Sequence, residues 1–321
     1  MMFRSLRVIS IFLLYLVLLN NPVYAESFPE GYPECWKDTK NSIDTNYAPM
    51  DSTKKNLGQH ANLFCPINSK VGHKFFLVDF TSPLKKAQVD WISQRIFKDA
   101  LIKDTPPYHK VSYMVIDDTA PQSQEISYSQ CRFKTGNKSK FIGEETNDGC
   151  EGNKQISDNF AAWLGLNTEF EKVLLGKNYK EAKRTLLFEY LFHVLREPVT
   201  DFTSEYPERE LVIVSDLMQH SSRFSFYSHC KSDSKLKMPD KCDSFENLLK
   251  KKIGSETVEK YIGDRKPEKE TLKNLKVTVL YINHDYETRS GLSSSLVELW
   301  EELFKFMGIK NYEIIKQLAI I

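Results

Sequence analysis

The chain has 321 residues, with 44 Lys and Arg against 43 Asp and Glu, 41% hydrophobic residues and 12% aromatic ones. That composition describes a folded body, and a charge balance this close to neutral is unsuited to electrostatic capture of nucleic acid or anionic lipid. Taken with the export signal and the cysteines below, it excludes a transmembrane channel, a cytosolic enzyme and a bulk-charge nucleic-acid binder.

Residues 1–25 read as a signal peptide. Arg4 and Arg7 precede the largely apolar run Val8–Leu19, and Val23-Tyr24-Ala25 supplies a small-residue cleavage site. The run is shorter than the roughly 20 residues of a spanning helix, so no transmembrane span is expected after cleavage. Residues 26–71, rich in Pro, Asn, Asp, Ser and Thr, read as a disulfide-stapled N-terminal arm. The expected location is the periplasm or the extracellular space.

From residue 72 to 321 the pattern is that of one α/β domain. Phe75-Phe76-Leu77-Val78 is an apolar run ending at Asp79, and the spacing of Val89, Ile92, Ile96 and Ala100 predicts a helix over 84–101, with Pro83 at its start. Val111–Ile116 is a second strand and Glu125–Cys131 a third. A helical composition over 160–175 is broken near Gly165, with Asn167 or Thr168 as a fresh cap, and a stronger helix is expected over Glu181–Leu195. Leu211–Val214 is the fourth strand, ending in Ser215-Asp216. Helical pieces follow at Phe245–Ile253 and Val258–Ile262, then a last strand at Val277–Ile282 and a closing helix at Leu296–Met307. Strands alternating with helices predict a doubly wound, mostly parallel sheet with helices on both faces, a Rossmann-type three-layer sandwich.

All six cysteines lie beyond the signal, and an even count in an oxidising compartment reads as disulfides. The spacing favours sequential pairs, Cys35–Cys65, Cys131–Cys150 and Cys230–Cys242. The last two would close polar insertions near 131–150 and 230–242.

Ligands bind beyond the carboxyl ends of parallel strands. Asp79, Thr81 and Ser82 follow the first strand, Asp216 follows the fourth, and Thr185 is expected in the first turn of the helix before it. Two carboxylates and several hydroxyls on one rim suit a hard divalent cation, Mg²⁺ or Mn²⁺.

These residues resemble the metal-ion-dependent adhesion site of von Willebrand factor A-like (VWA-like) domains. That site takes Asp-x-Ser-x-Ser after the first strand, a Thr from a middle loop and an Asp after the fourth strand. Asp79 matches the first Asp, Thr81 stands for the first Ser, Thr185 for the middle Thr and Asp216 for the last Asp. Pro83 replaces the second Ser, and Leu217 stands where Gly is usual. The resemblance implies an exported protein-binding module, degenerate at one ligand, that engages a protein partner in an envelope assembly. Three other readings stay open. Asp79 and Asp216 could cap helices without metal, Asp79 or an Asp216/His220 pair could serve a hydrolase, or the protein could be a periplasmic scaffold with nothing in the crevice.

Overall fold

The computed structural model describes Cys65, residues 70–133 except 125, two short strands at 138–139 and 143–144, and residues 153–176, 181–233, 238–283 and 292–317. The expected signal peptide, most of the arm and most of the insertion near 131–150 lie outside the described residues. In chain order the elements begin with β1 (Gly72–Asp79), α1 (Lys86–Ile92, continuing as a π-helix over Ser93–Lys103), β2 (Lys110–Ile116) and β3 (Tyr128–Cys131). The short β4 (Lys138–Ser139) and β5 (Gly143–Glu144) follow, then α2 (Asn153–Gly176), α3 (Leu187–Arg196) and β6 (Glu208–Ser215). Next come β7 (Cys230–Asp233), β8 (Met238–Cys242), α4 (Phe245–Lys250), β9 (Lys252–Ile253), β10 (Glu256–Thr257) and α5 (Val258–Gly263). The chain closes with β11 (Leu275–Tyr281), α6 (Leu292–Met307) and β12 (Asn311–Lys316).

Six strands form one sheet in the order β12-β11-β6-β1-β2-β3, parallel throughout except for β3, which runs antiparallel to β2. The four apolar runs of the sequence are β1, β2, β6 and β11, which lie consecutively in the sheet as β11-β6-β1-β2. Every residue of β1 is buried because the sheet is covered on both faces. Phe75 and Leu77 join a core with Leu191, Trp300 and Leu303 of α3 and α6, while Phe76 and Val78 pack with Ile96, Phe97, Trp163 and Phe170 of α1 and α2. The result is a doubly wound three-layer α/β sandwich.

Several local expectations are corrected. Helix α1 starts at Lys86, so Pro83 lies exposed in the preceding loop. Helix α2 runs unbroken through Gly165. Asn167 and Thr168 start no new helix there; their side chains donate back to the Trp163 and Leu164 carbonyls, at 2.8 and 2.9 Å. Helix α3 starts at Leu187, because the backbone of Thr185 exchanges two 2.8 Å hydrogen bonds with His220. That tertiary bridge holds the segment extended. The edge strand β12 falls in a tail for which no strand is expected from the sequence.

Of the three disulfides expected, Cys230–Cys242 is present, joining directly opposed residues of the β7/β8 hairpin. Cys65–Cys131 replaces the pairings Cys35–Cys65 and Cys131–Cys150; Cys35 and Cys150 lie outside the described residues. The reason is sheet topology. Antiparallel β3 ends with Cys131 opposite Lys110, and Lys110 in turn lies opposite His73 at the entrance to β1. The chain arriving at β1 therefore passes close to the end of β3, although 66 residues separate the two cysteines.

Candidate functional site

After β1 the chain moves outward to β2 and β3, then returns to lay β6 on the opposite side of β1. The carboxyl ends of β1 and β6 therefore flank the switch point of the sheet, where a doubly wound fold opens a crevice. Asp79 ends β1, and Ser215 ends β6 with Asp216 immediately after it.

The crevice is built by hydrogen bonds among short side chains. Thr81 donates to Asp79 Oδ1 through both its backbone N–H (3.0 Å) and its hydroxyl (2.6 Å), folding the loop back over the carboxylate. Ser215 Oγ donates to Asp79 Oδ2 at 2.7 Å. The Thr81 hydroxyl also meets Thr185 Oγ1 at 2.8 Å, and the Thr81 carbonyl accepts from Ala182 N–H at 2.8 Å. Thr185 is thus carried on the bridged strand-like segment before α3, across the crevice from β1. Asp216 Oδ1 accepts from Met218 N–H at 2.9 Å. Leu217 lies between them at φ +63°, a left-handed conformation uncommon for a bulky residue and natural for Gly. Its N–H donates to Ser215 Oγ, its carbonyl accepts from Trp300 Nε1 at 2.9 Å, and its side chain is fully buried.

Asp79, Ser82, Leu84, Asp216 and Ile282 line a small open cleft of about 10 Å³. Asp79 and Asp216 are 6% and 8% exposed, and no basic side chain lines the cleft. Burial, and then the charge of Asp216, push the Asp79 carboxyl up to about 6, against the opposing pull of the Thr81 and Ser215 hydrogen bonds.

The five predicted site residues therefore converge. Thr81, Thr185 and Asp79 are linked directly, while Asp216 and Ser82 line the same cleft as Asp79. Ser215 belongs with them; its signal in the sequence was its place at the strand end beside Asp216. The capping reading is corrected. Asp79 lies six residues ahead of Lys85, the N-cap of α1, and no helix follows Asp216. His220 is turned to a different partner, its Nδ1 lying 2.9 Å from Ser225 Oγ and its ring edge-on to Tyr227, and it does not line the cleft.

The donor set fits a hard cation. It consists only of oxygen atoms, from two carboxylates and several hydroxyls. Among the described residues no group of three or more His, Cys, Asp or Glu side chains is placed to hold a metal ion, so an ion in this crevice would depend on hydroxyl and water ligands as well.

No family model matches the chain, and no curated protein matches it. Among solved structures it is similar to the ArnB paralog VWA2 from Sulfolobus acidocaldarius, at 12% identity and a TM-score of 0.31, with 77% of this chain aligned to 41% of that one. The chain thus spans about two-fifths of that protein's length. The class defined by the sheet order and its two covered faces is a doubly wound α/β protein.

Proposed function

We propose that this is an exported, VWA-like protein-binding module of an envelope assembly, whose crevice holds Mg²⁺ or Mn²⁺. The supporting observation is the meeting of Asp79, Thr81, Thr185 and Asp216 at the switch point, with two buried carboxylates and no basic side chain in the cleft lining. Asp79, Thr81, Thr185 and Asp216 would hold the ion, directly or through water, with Ser82 at the rim. When bound, the ion supplies positive charge and a coordination position for a carboxylate of the partner protein. Ser215 and the Thr81 backbone position Asp79 by fixing both of its oxygens. Pro83 has no side-chain oxygen, so a water would have to stand in for the hydroxyl it replaces.

Calorimetric titration of the full chain with Mg²⁺ and Mn²⁺ tests the reading. Saturable heat and a higher melting temperature are expected for wild type, and both should vanish in Asp79→Asn. No heat at millimolar metal, with a melting curve indifferent to chelator, would leave the crevice as ordinary surface.

A further inference from the structure

A second, open cleft, of about 120 Å³, lies against α3, with Glu189, His193, Arg196 and Glu197 on one side and Tyr261 and Arg265 of the α5 end on the other. Glu189 and His193 are spaced four apart and so share one face of α3, and Glu197 follows at its C-cap in extended conformation. Two guanidinium groups and two carboxylates line this cleft, yet among the described residues none of the four forms an ion pair with another. Two of them are instead anchored by neutral groups. Glu189 accepts from Gln219 Nε2 at 3.0 Å and from the Tyr261 hydroxyl at 3.4 Å. The Arg265 guanidinium lies 4.1 Å from the centre of the Tyr261 ring and donates to the Tyr261 carbonyl at 3.1 Å. His193 is 6% exposed, and its Nδ1 has no hydrogen-bond partner among the described residues.

Opposite charges held apart in one cleft leave their mutual attraction unused and are available to a molecule that carries both signs. A simple anion would meet the carboxylates, and a simple cation would meet the guanidinium groups. We infer that this cleft binds a small zwitterion of the free amino acid class. Its carboxylate goes to Arg196 and Arg265, and its ammonium to Glu189 and Glu197. The site is separate from the crevice at the sheet edge.

Saturation-transfer NMR and calorimetry on the full chain test this with a panel of free amino acids, each beside its N-acetyl and carboxamide derivatives. At least one free amino acid should bind, with each derivative about tenfold weaker or more, since each removes one charge-assisted contact. Arg196→Gln and Glu197→Gln change exposed side chains and keep the fold intact, as a melting curve will verify; each should weaken binding about tenfold as well. Asp79→Asn should leave it unchanged. The inference is overturned if no free amino acid binds at millimolar concentration, if the capped derivatives bind equally well, or if binding survives Arg196→Gln and Glu197→Gln but is lost in Asp79→Asn.

Discussion

Asp79→Asn in metal-free protein should stabilise the fold, and the amount follows from the site. Burial and the Asp216 charge carry the carboxyl from an ordinary 3.8 to about 6. At 1.36 kcal/mol per tenfold change in proton affinity, the ionised group costs the folded state about 3 kcal/mol at neutral pH. Between those two values the native state binds more protons than the unfolded chain. The contribution of this carboxyl to stability is therefore full below about pH 4 and lost as pH rises through about 6. Asparagine keeps an acceptor oxygen for Thr81 and mimics the neutral acid. Urea unfolding of wild type and variant in chelator, from about pH 4 to about pH 7, should thus give curves that diverge with rising pH, to about 3 kcal/mol in favour of the variant. Saturating Mg²⁺ should raise wild type alone and close the gap. The difference curve is the proper readout, because His73, whose pKa burial lowers to about 3, has the opposite pH dependence over the same window. A difference that is flat with pH, or a variant less stable at neutral pH, refutes the account of a carboxyl disfavoured by burial and by the neighbouring Asp216.

Three further outcomes follow. The His73 imidazole, buried with its ring nitrogens at Asp201 O and Ser112 Oγ, should stay neutral as pH falls from 7 to 5 in an NMR titration; a midpoint near 6.5 would contradict its burial. Its contribution to stability is present above the unfolded value and lost as pH falls toward about 3. Replacing Cys65 and Cys131 by Ser should cost about 4 kcal/mol, and replacing Cys230 and Cys242 about 3 kcal/mol, in step with their separations of 66 and 12 residues. Non-reducing peptide mapping that returned Cys35–Cys65 would overturn the first of these. Leu217→Gly relieves a left-handed leucine by roughly 1–2 kcal/mol but empties a fully buried site worth about 2–5 kcal/mol. A net loss is expected in urea unfolding, and an unchanged midpoint would mean that the leucine side chain contributes little.

The strands that make the crevice were legible because they are buried on both faces, so Phe75–Val78, Val111–Ile116, Leu211–Val214 and Val277–Ile282 stand out as unbroken apolar runs. Asp79 and Asp216 were legible for the same reason, as the first charges after two such runs. What escaped depends on contacts distant in sequence. Thr185 reads as helical until His220 is placed beside it, and Asp79 reads as a cap until α1 is seen to start at Lys86. Strand β12 is an edge strand with alternating exposure, and its short apolar stretch of Ile314 and Ile315 carries little signal. The Cys65–Cys131 pairing required knowing that β3 runs back toward the entrance of β1.

That crosslink also sets how the molecule would transmit tension. Pulled from its two ends, the chain cannot lengthen between Cys65 and Cys131, so β1, α1 and β2 form a loop outside the load path while the bond is intact. Reduction would release 66 residues, or about 230 Å of extended chain. Asp79 and Thr81 lie inside that shielded loop, whereas Thr185 and Asp216 lie outside it. Force would therefore act on only one half of the crevice, drawing Thr185 and Asp216 away from a β1 edge that the disulfide holds still.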